Sequence, residues 1–400
     1  MASIDIDEPK IQTLLNRGVE NIYPSKAFLE SQLKSGKQLR IYFGIDPTGP
    51  NIHLGHAIPL RKMRQFQDLG HKIVLLIGSF TAMIGDPDKA SVRNQLTKEE
   101  VVANMQNYLA QASKIIDTKD LNVFEIRYND EWLVKMNFED VLNLASKMTV
   151  QQMVERDLFH KRISEGKPVY LHEFMYPLMQ GYDSVALDVD GEVGGNDQTF
   201  NMLTGRTLMK ELKGKEKFVL TTKLLVDPTG KKMGKSEGNM LTLSDTPEDM
   251  FGKIMSWNDG MIVSGFELCT NMIQPDIDAI AQKLNDPSYN PKEAKQLLAH
   301  TVVSEYFDKA TADRALESFN ATFQKGEIPE QVPEITGPIS LLEALKQSQL
   351  VDSNSEARRL VDSGAVTNMT TDQKVADINT LVDTTTVFRI GKHRFVKIVV

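Results

Sequence analysis

Two histidines three residues apart, His53 and His56, stand in the segment DPTGPNIHLGH, Asp46 to His56. A helix starting near Leu54 puts both on one face at its N-terminus. Unpaired N–H groups and positive potential favour phosphate there. Gly55, between them, lets a bulky ligand approach the backbone. A metal pair and a pair of surface histidines are the other readings, and no third ligand stands nearby in sequence.

A second segment, GKKMGKSEGN (Gly230 to Asn239), carries Lys231, Lys232, Lys235 and the hydroxyl of Ser236. It is not a phosphate-binding P-loop, because that motif keeps four residues between its first glycine and the GK pair. Gly230 and Gly234 enclose only Lys231, Lys232 and Met233. What remains is a glycine-bearing basic loop able to wrap a polyphosphate, or a solvated basic turn. The third segment is YPLMQGYD. On a helix Tyr176, Gln180 and Asp183 fall at i, i+4 and i+7, one polar stripe in apolar surroundings. Such a stripe is costly unless it binds something or its members satisfy one another in the core.

These segments need a scaffold. IYFGI (Ile41 to Ile45) reads as a strand ended by DPTGPN, and IVLLIG (Ile73 to Gly78) as a buried parallel strand. LNVFEIRYN, a run near Val185–Val189 and FVLT (Phe218 to Thr221) complete the strand set. Helices are expected over 11–35, 54–69, from Thr97 to about Ile116, over 137–164 and 171–183, and after Asn196. The alternation from about 38 to 225 predicts an α/β, doubly wound parallel sheet of Rossmann-like type. Ligands of such sheets sit at the carboxyl ends of the strands, where DPTGPN, IGDPDKASVR and GGNDQ fall. From Thr246 to Phe319 the pattern is helical throughout; Gly326 to Pro338 reads as a linker, and the block from Ile339 as a small α+β module. The expected domains are therefore 1–240, 241–325 and 339–400, joined by 326–338.

The 400-residue chain has a formal net charge of −8 and one cysteine, Cys269. That excludes a disulfide framework and a Cys-rich zinc site and fits a reducing cytosol. The acidic N-terminus does not read as a signal peptide, and no apolar run is long enough for a membrane span. The charge argues against non-specific coating of nucleic acid. From Ile339 onward eight Lys/Arg meet seven Asp/Glu, leaving +1 against −9 for the rest.

Together the segments carry a resemblance. HLGH and KMGKS resemble the HIGH and KMSKS signatures of class I aminoacyl-tRNA synthetases. YFGIDPT, HLGH, IGDP, YPLMQGYD, GGNDQ and KMGKS, in this order, are similar to the bacterial tyrosyl-tRNA synthetases. The tail SNSEARRLVDSGAV (Ser353 to Val366) resembles the S4-type RNA-binding module that ends them. The resemblance implies an enzyme that joins tyrosine and ATP into tyrosyl-adenylate and pyrophosphate, then passes the tyrosyl group to the terminal adenosine of tRNA(Tyr). Positioning and charge stabilisation supply the rate, since the tyrosine carboxylate is itself the nucleophile.

By the same resemblance His53 and His56 contact phosphates, Lys232, Lys235 and Ser236 close over the departing pyrophosphate, and Lys89 and Arg93 support the transition state. Tyr42 and Asp183 hydrogen-bond the substrate phenol, while Tyr176, Gln180 and Asp86 surround its ammonium, with Gln198 beside them. Gly195 and Asp197 hold ribose and adenylate with Gly44, Asp46 and Thr48 opposite, and Met233 and Lys235 flank the nucleotide. Mg²⁺ accompanies ATP without a dedicated protein metal site. The segment 125–185 forms a homodimer, and the helical block approaches the anticodon arm. Arg358, Arg359, Lys392 and Arg394 are the RNA-contact candidates, and the cytoplasm is the expected location. Gly234 stands where the signature has serine, which loosens the loop but keeps both lysines. His71 and His172 read as structural.

Three rivals share parts of this pattern. A tryptophanyl-tRNA synthetase has the same fold and chemistry, but Tyr42 with the Tyr176–Gln180–Asp183 stripe and the S4-like tail favour tyrosine. An inactive RNA-binding paralogue has no reason to keep His53, His56, Lys232, Lys235, Asp183 and Gln198 together. A nucleotidyltransferase acting on a small metabolite leaves the helical block and tail without purpose.

Overall fold

The segments IYFGI and IVLLIG lie side by side in the interior of a six-stranded sheet in the computed structural model of the chain. It describes residues 3–86, 96–230, 240–324, 332–348, 350–351, 353–371, 373–391 and 394–400. Lys89, Arg93, Lys232, Met233, Lys235, Ser236 and Lys392 lie outside these described residues. Backbone contacts divide the chain into two units, Met1–Ala312 and Asp313–Val400.

The first unit opens with α1 (Glu8–Asn16), β1 (Val19–Tyr23) and α2 (Lys26–Leu33). The helical reading of 11–35 therefore holds at both ends and fails between them. Gly18 turns the chain at φ +63°, and Val19–Tyr23 is captured as an antiparallel edge strand by the last strand of the sheet. Ser25 then caps the second helix by accepting the Phe28 N–H at 3.2 Å. Ile11, Leu14 and Leu15 keep their helical spacing in α1, and tertiary pairing overrides it at Val19.

The alternation that follows is β2 (Arg40–Ile45), α3 (Leu54–Asp68), β3 (Lys72–Ile77), α4 (Thr81–Ile84), α5 (Lys98–Met105), α6 (Tyr108–Ala112) and β4 (Phe124–Tyr128). Thr97 and Glu100 make the reciprocal cap expected at the start of α5. Four helices come next: α7 (Asp130–Leu133), α8 (Phe138–Ala145), α9 (Val150–Val154) and α10 (Asp157–Ser164). The run expected over 137–164 is thus cut into three, with Asn137 and Thr149 each starting a new cap.

Then come α11 (Leu171–Leu187), β5 (Gly191–Gly195), α12 (Thr199–Lys213) and β6 (Phe218–Thr222). The strand expected near Val185–Val189 is corrected. Its apolar residues finish α11, which stops where Asp188 turns left-handed (φ 49°), and the strand is the glycine-rich GEVGG. Glycine has low strand propensity, so only the pairing to β2 and β6 makes the segment extended.

Strand order is β1-β6-β5-β2-β3-β4, all parallel except β1. The winding direction reverses between β2 and β5, the switch point at which open α/β sheets bind ligands. Parallel register sets Tyr42 beside Glu192 and, on its other side, beside Val74. Helices α13 (Pro247–Met255), α14 (Ile262–Cys269), α15 (Gln274–Leu284) and α16 (Pro291–Tyr306) follow, and α17 (Lys309–Gln324) runs across the boundary into the second unit.

The second unit contains β7 (Glu334–Thr336), β8 (Ile339–Ser340), α18 (Leu341–Gln347), α19 (Asn354–Asp362), β9 (Val366–Asn368), β10 (Gln373–Lys374), β11 (Leu381–Val382), β12 (Thr386–Ile390) and β13 (Arg394–Val399). Its larger sheet runs β10-β9-β12-β13-β7. Within the stretch read as a linker, β7 pairs parallel with β13, so its C-terminal part belongs to this sheet. Leu341, Leu345, Ala357, Val366, Ile390, Val396 and Ile398, all at 0% exposure, form the core of this unit.

Candidate active site

The carboxyl ends of β2 and β5, the start of α3 and one face of α11 enclose a cavity of about 590 Å³. Every described residue assigned to tyrosine or nucleotide lines it: Tyr42, Gly44, Asp46, Thr48, His53, His56, Asp86, Tyr176, Gln180, Asp183, Gly195, Asp197 and Gln198.

Its floor is polar and buried. Asp183 is 2% exposed and receives the Trp132 indole N–H at 2.8 Å and the Asn129 amide at 3.3 Å. Burial pushes its carboxyl well above the usual range, and those two donors pull it back. Tyr42, at 0% exposure, faces the same space with its hydroxyl 3.1 Å from Ser184 Oγ. Burial, then Glu192 and Asp183, raise its pKa. Beneath lies a buried ion pair. Lys217 Nζ donates to Glu192 Oε2 and, at 2.8 Å, to Ser184 Oγ. Glu192 Oε1 accepts from Gln180 Nε2 at 3.2 Å. Burial pulls the Lys217 pKa down, and Glu192 opposes it.

One wall is built on Asp46. Its carboxylate accepts from Thr81 Oγ1 and from the Tyr176 hydroxyl, each at 2.7 Å. Asn129 donates to Thr81 Oγ1 at 2.9 Å, linking this wall to Asp183. Only glycine fits at Gly78, where a Cβ would lie 1.9 Å from Asp46 Oδ1. On another wall Asp86 accepts from Arg156 and from Gln198 Nε2, both at 2.8 Å.

The mouth carries the two histidines of the first signature. His53 caps α3, and its ring stacks on His56 with centroids 3.8 Å apart. Among the described residues no cluster of three or more His, Cys, Asp or Glu could hold a metal ion. Leu54 N donates to Leu241 O at 3.1 Å and Leu243 N to Ile52 O at 2.8 Å, so the chain that follows the KMGKS segment is pinned to the start of α3. Leu225 and Met240, on either side of that segment, both line the cavity.

Asn129, Trp132, Arg156, Ser184, Glu192 and Lys217 escaped the sequence reading. Asn129 stands just past β4, where ligand-facing residues of parallel sheets belong, and Trp132 is one of two tryptophans. Those signals were available; Arg156, inside a helical pattern, gave none. In the second unit Arg358 and Arg359 are exposed on α19. Arg394, with 38% of its side chain exposed, donates to Leu350 O and lies 3.7 Å from Glu356. His71 is fully buried, with Nδ1 accepting the Leu39 N–H at 3.2 Å.

Residues 34–324 match the family model of class I tRNA synthetases (W and Y). A tyrosine-tRNA ligase from Carboxydothermus hydrogenoformans is 42% identical, over 98% of this chain and 99% of its own. One from Thermotoga maritima is also 42% identical, over 96% of each chain. Among solved structures, a C-terminally truncated mitochondrial tyrosyl-tRNA synthetase from Coccidioides posadasii superposes with a TM-score of 0.63 at 24% identity, covering 78% of this chain and 92% of that one. A tyrosyl-tRNA synthetase complexed with L-tyrosine from Archaeoglobus fulgidus gives 0.62 at 21% identity, over 78% and 100%. With a sheet wound about a single switch point, the first signature at its cavity and this likeness along nearly its whole length, the chain belongs to the tyrosine branch of the class I tRNA synthetases.

Proposed function

We infer that the cavity holds tyrosine at its floor and ATP at its mouth. The chain activates L-tyrosine with ATP to tyrosyl-adenylate and pyrophosphate, then transfers the tyrosyl group to tRNA(Tyr). The observation that carries the placement is the pairing of Tyr42 and Asp183 over one buried floor. A phenol there meets a carboxylate acceptor and a hydroxyl partner. Phenylalanine leaves both buried and unmatched, and tyrosyl-tRNA synthetase is itself the standard example of such rejection, at about 10⁵-fold.

In the first step the tyrosine carboxylate attacks the α-phosphate in line and pyrophosphate leaves; in the second a hydroxyl of the terminal adenosine attacks the activated carbonyl and AMP leaves. No protein nucleophile is needed. His53 and His56 face the phosphates, and Lys232, Lys235 and Ser236, with Lys89 and Arg93, neutralise the charge that develops. At about 1.5–3 kcal/mol per charge-assisted hydrogen bond, three or four contacts supply roughly 5–10 kcal/mol. Asp86, Tyr176 and Gln180 meet the ammonium. Gly44, Thr48, Gly195, Asp197 and Met233 border the adenylate. Mg²⁺ enters on the ATP phosphates. Both oxygens of Asp46 and of Asp86 already face protein donors, a set suited to positioning rather than to caging a cation.

A homodimer through 125–185 is supported by apolar side chains on that segment's surface, among them Phe138 at 76%, Val150 at 68% and Leu171 at 80% exposure. Arg358 and Arg359 are the tail's RNA contacts, the helical block meets the anticodon arm, and cytoplasmic residence suits the lone Cys269. The test of the whole reading is amino-acid-dependent ATP–pyrophosphate exchange with tyrosine, tryptophan and phenylalanine. Exchange with tyrosine alone is expected. Exchange with tryptophan instead overturns the pocket assignment, and none from folded protein overturns the reaction.

A further inference from the structure

A lysine and a glutamate buried together at 0% and 2% exposure are not explained by stability, since such a pair is commonly no better than apolar residues of equal volume. The fold nonetheless makes room for this one. A Cβ on Gly205 would lie 2.7 Å from both Lys217 Nζ and Ser184 Oγ. Gly205 in turn packs on Gly181, where a Cβ would meet the Gly205 amide at 3.1 Å. Two glycines at the α11–α12 contact thus admit the ammonium under the Tyr42 ring, 5.6 Å from its centroid.

The donors run in one direction from there. Lysine has only donors, so Ser184 Oγ accepts from Lys217, which leaves its hydrogen available to Tyr42 Oη 3.1 Å away, a contact in which either hydroxyl can donate. Tyr42 Oη then acts as acceptor on that side and keeps its proton for another partner. Glu192 is the competing acceptor for that proton, but Lys217 already engages one of its oxygens and Gln180 the other. The Gln180 carbonyl offers only a long contact at 3.4 Å. The remaining direction is the cavity.

We propose that the Lys217–Glu192 pair is a positioning device for substrate recognition: through Ser184 it orients the Tyr42 hydroxyl as a donor into the cavity. A bound phenol then accepts from Tyr42 and donates to Asp183. Glu192, by the same pair, holds the Gln180 amide. This rests on tyrosine occupying the cavity, as inferred above.

Two variants test it by ATP–pyrophosphate exchange with tyrosine and with phenylalanine. Ser184→Ala keeps the ion pair and removes the relay. The double variant Lys217→Met with Glu192→Gln removes the charges without leaving one unpaired. Thermal melting checks folding. Ser184→Ala is expected to raise the tyrosine KM about three- to tenfold with kcat nearly unchanged, while kcat/KM for phenylalanine holds. The double variant lowers the tyrosine-to-phenylalanine ratio further. A ratio unchanged in Ser184→Ala, or equal losses with both amino acids, overturns the relay, and Ser184→Ala decides alone if the double variant does not fold. Wild-type protein without tyrosine-dependent exchange overturns the underlying reading instead, so the two failures are distinct.

Discussion

Replacing Trp132 by phenylalanine takes one N–H from the Asp183 carboxylate while leaving most of the ring in place. The bond removed is 2.8 Å long, to a group only 2% exposed. A hydrogen bond to a charged group contributes about 1.5–3 kcal/mol, so on the acid side of the Asp183 titration the ionised fraction, and kcat/KM for tyrosine with it, should fall about ten- to hundredfold and recover at higher pH. Burial already raises the Asp183 pKa and the indole lowers it, so Trp132→Phe raises it further. Ionised Asp183 is the form that accepts the phenolic proton. The acid limb of kcat/KM for tyrosine should therefore lie above the ordinary carboxylate range in wild type and move to higher pH in the variant. Phenylalanine lacks the phenol, so its exchange rate should change far less. The assay is ATP–pyrophosphate exchange with both amino acids across pH, corrected for active-site concentration. An equal loss with both amino acids, or an unmoved limb, would refute the assignment of Asp183 as phenol acceptor and leave Trp132 a packing residue.

Three other outcomes follow from the geometry. Gly78→Ala drives a methyl against Asp46 and Thr81, so exchange should collapse together with a stability loss of about 1–3 kcal/mol in urea unfolding; near-normal activity would deny Asp46 its place. Phe138→Asp puts a charge on the exposed apolar face of α8 and should shift sedimentation toward monomer with the monomer still folded; an unchanged mass would remove that face from the interface. His71 is held neutral, its pKa lowered by burial from 6.5 to about 4, so the unfolded chain takes up a proton that the folded chain refuses. Its contribution is complete above pH about 6.5 and disappears as pH falls toward 4, about 3 kcal/mol in all. In His71→Asn, which can still accept the Leu39 N–H, the acid slope of unfolding free energy should flatten over that window.

Much of the site was legible because its ligand-facing residues recur at spacings that a helix or strand end must present on one side. His53 and His56 share a helix N-terminus, and Tyr176, Gln180 and Asp183 share a helical stripe; local geometry alone brings them to the cavity. What holds those residues was not legible. Trp132 and Asn129 reach Asp183 from more than fifty positions away in the chain, Arg156 reaches Asp86 from seventy, and Lys217 reaches Ser184 from thirty-three. Such partners are chosen by sheet order and helix packing, which leave no periodic trace. The errors in the fold have the same origin: Val19–Tyr23 and GEVGG are extended only because β6 and β2 pair with them. Propensity is weak where a neighbouring strand supplies the hydrogen bonds.

The two ends of the cavity use different physical resources, and this has a measurable consequence. At the floor, Asp183, Glu192, Tyr42 and Lys217 are buried and each is held by at least one protein partner before any ligand arrives. Bulk ions do not reach them, so their interactions are screened little. At the mouth, His53 and His56 are only partly buried, so phosphates bound there as proposed would lie within reach of solvent. Screening there is effective over a Debye length of about 8–10 Å at ordinary salt. Raising ionic strength should thus increase the KM for ATP while leaving the KM for tyrosine and the tyrosine-to-phenylalanine ratio nearly constant. If both KM values rose in parallel, the floor would have to be solvent-connected, and specificity could not rest on the preformed pairing of Tyr42 and Asp183.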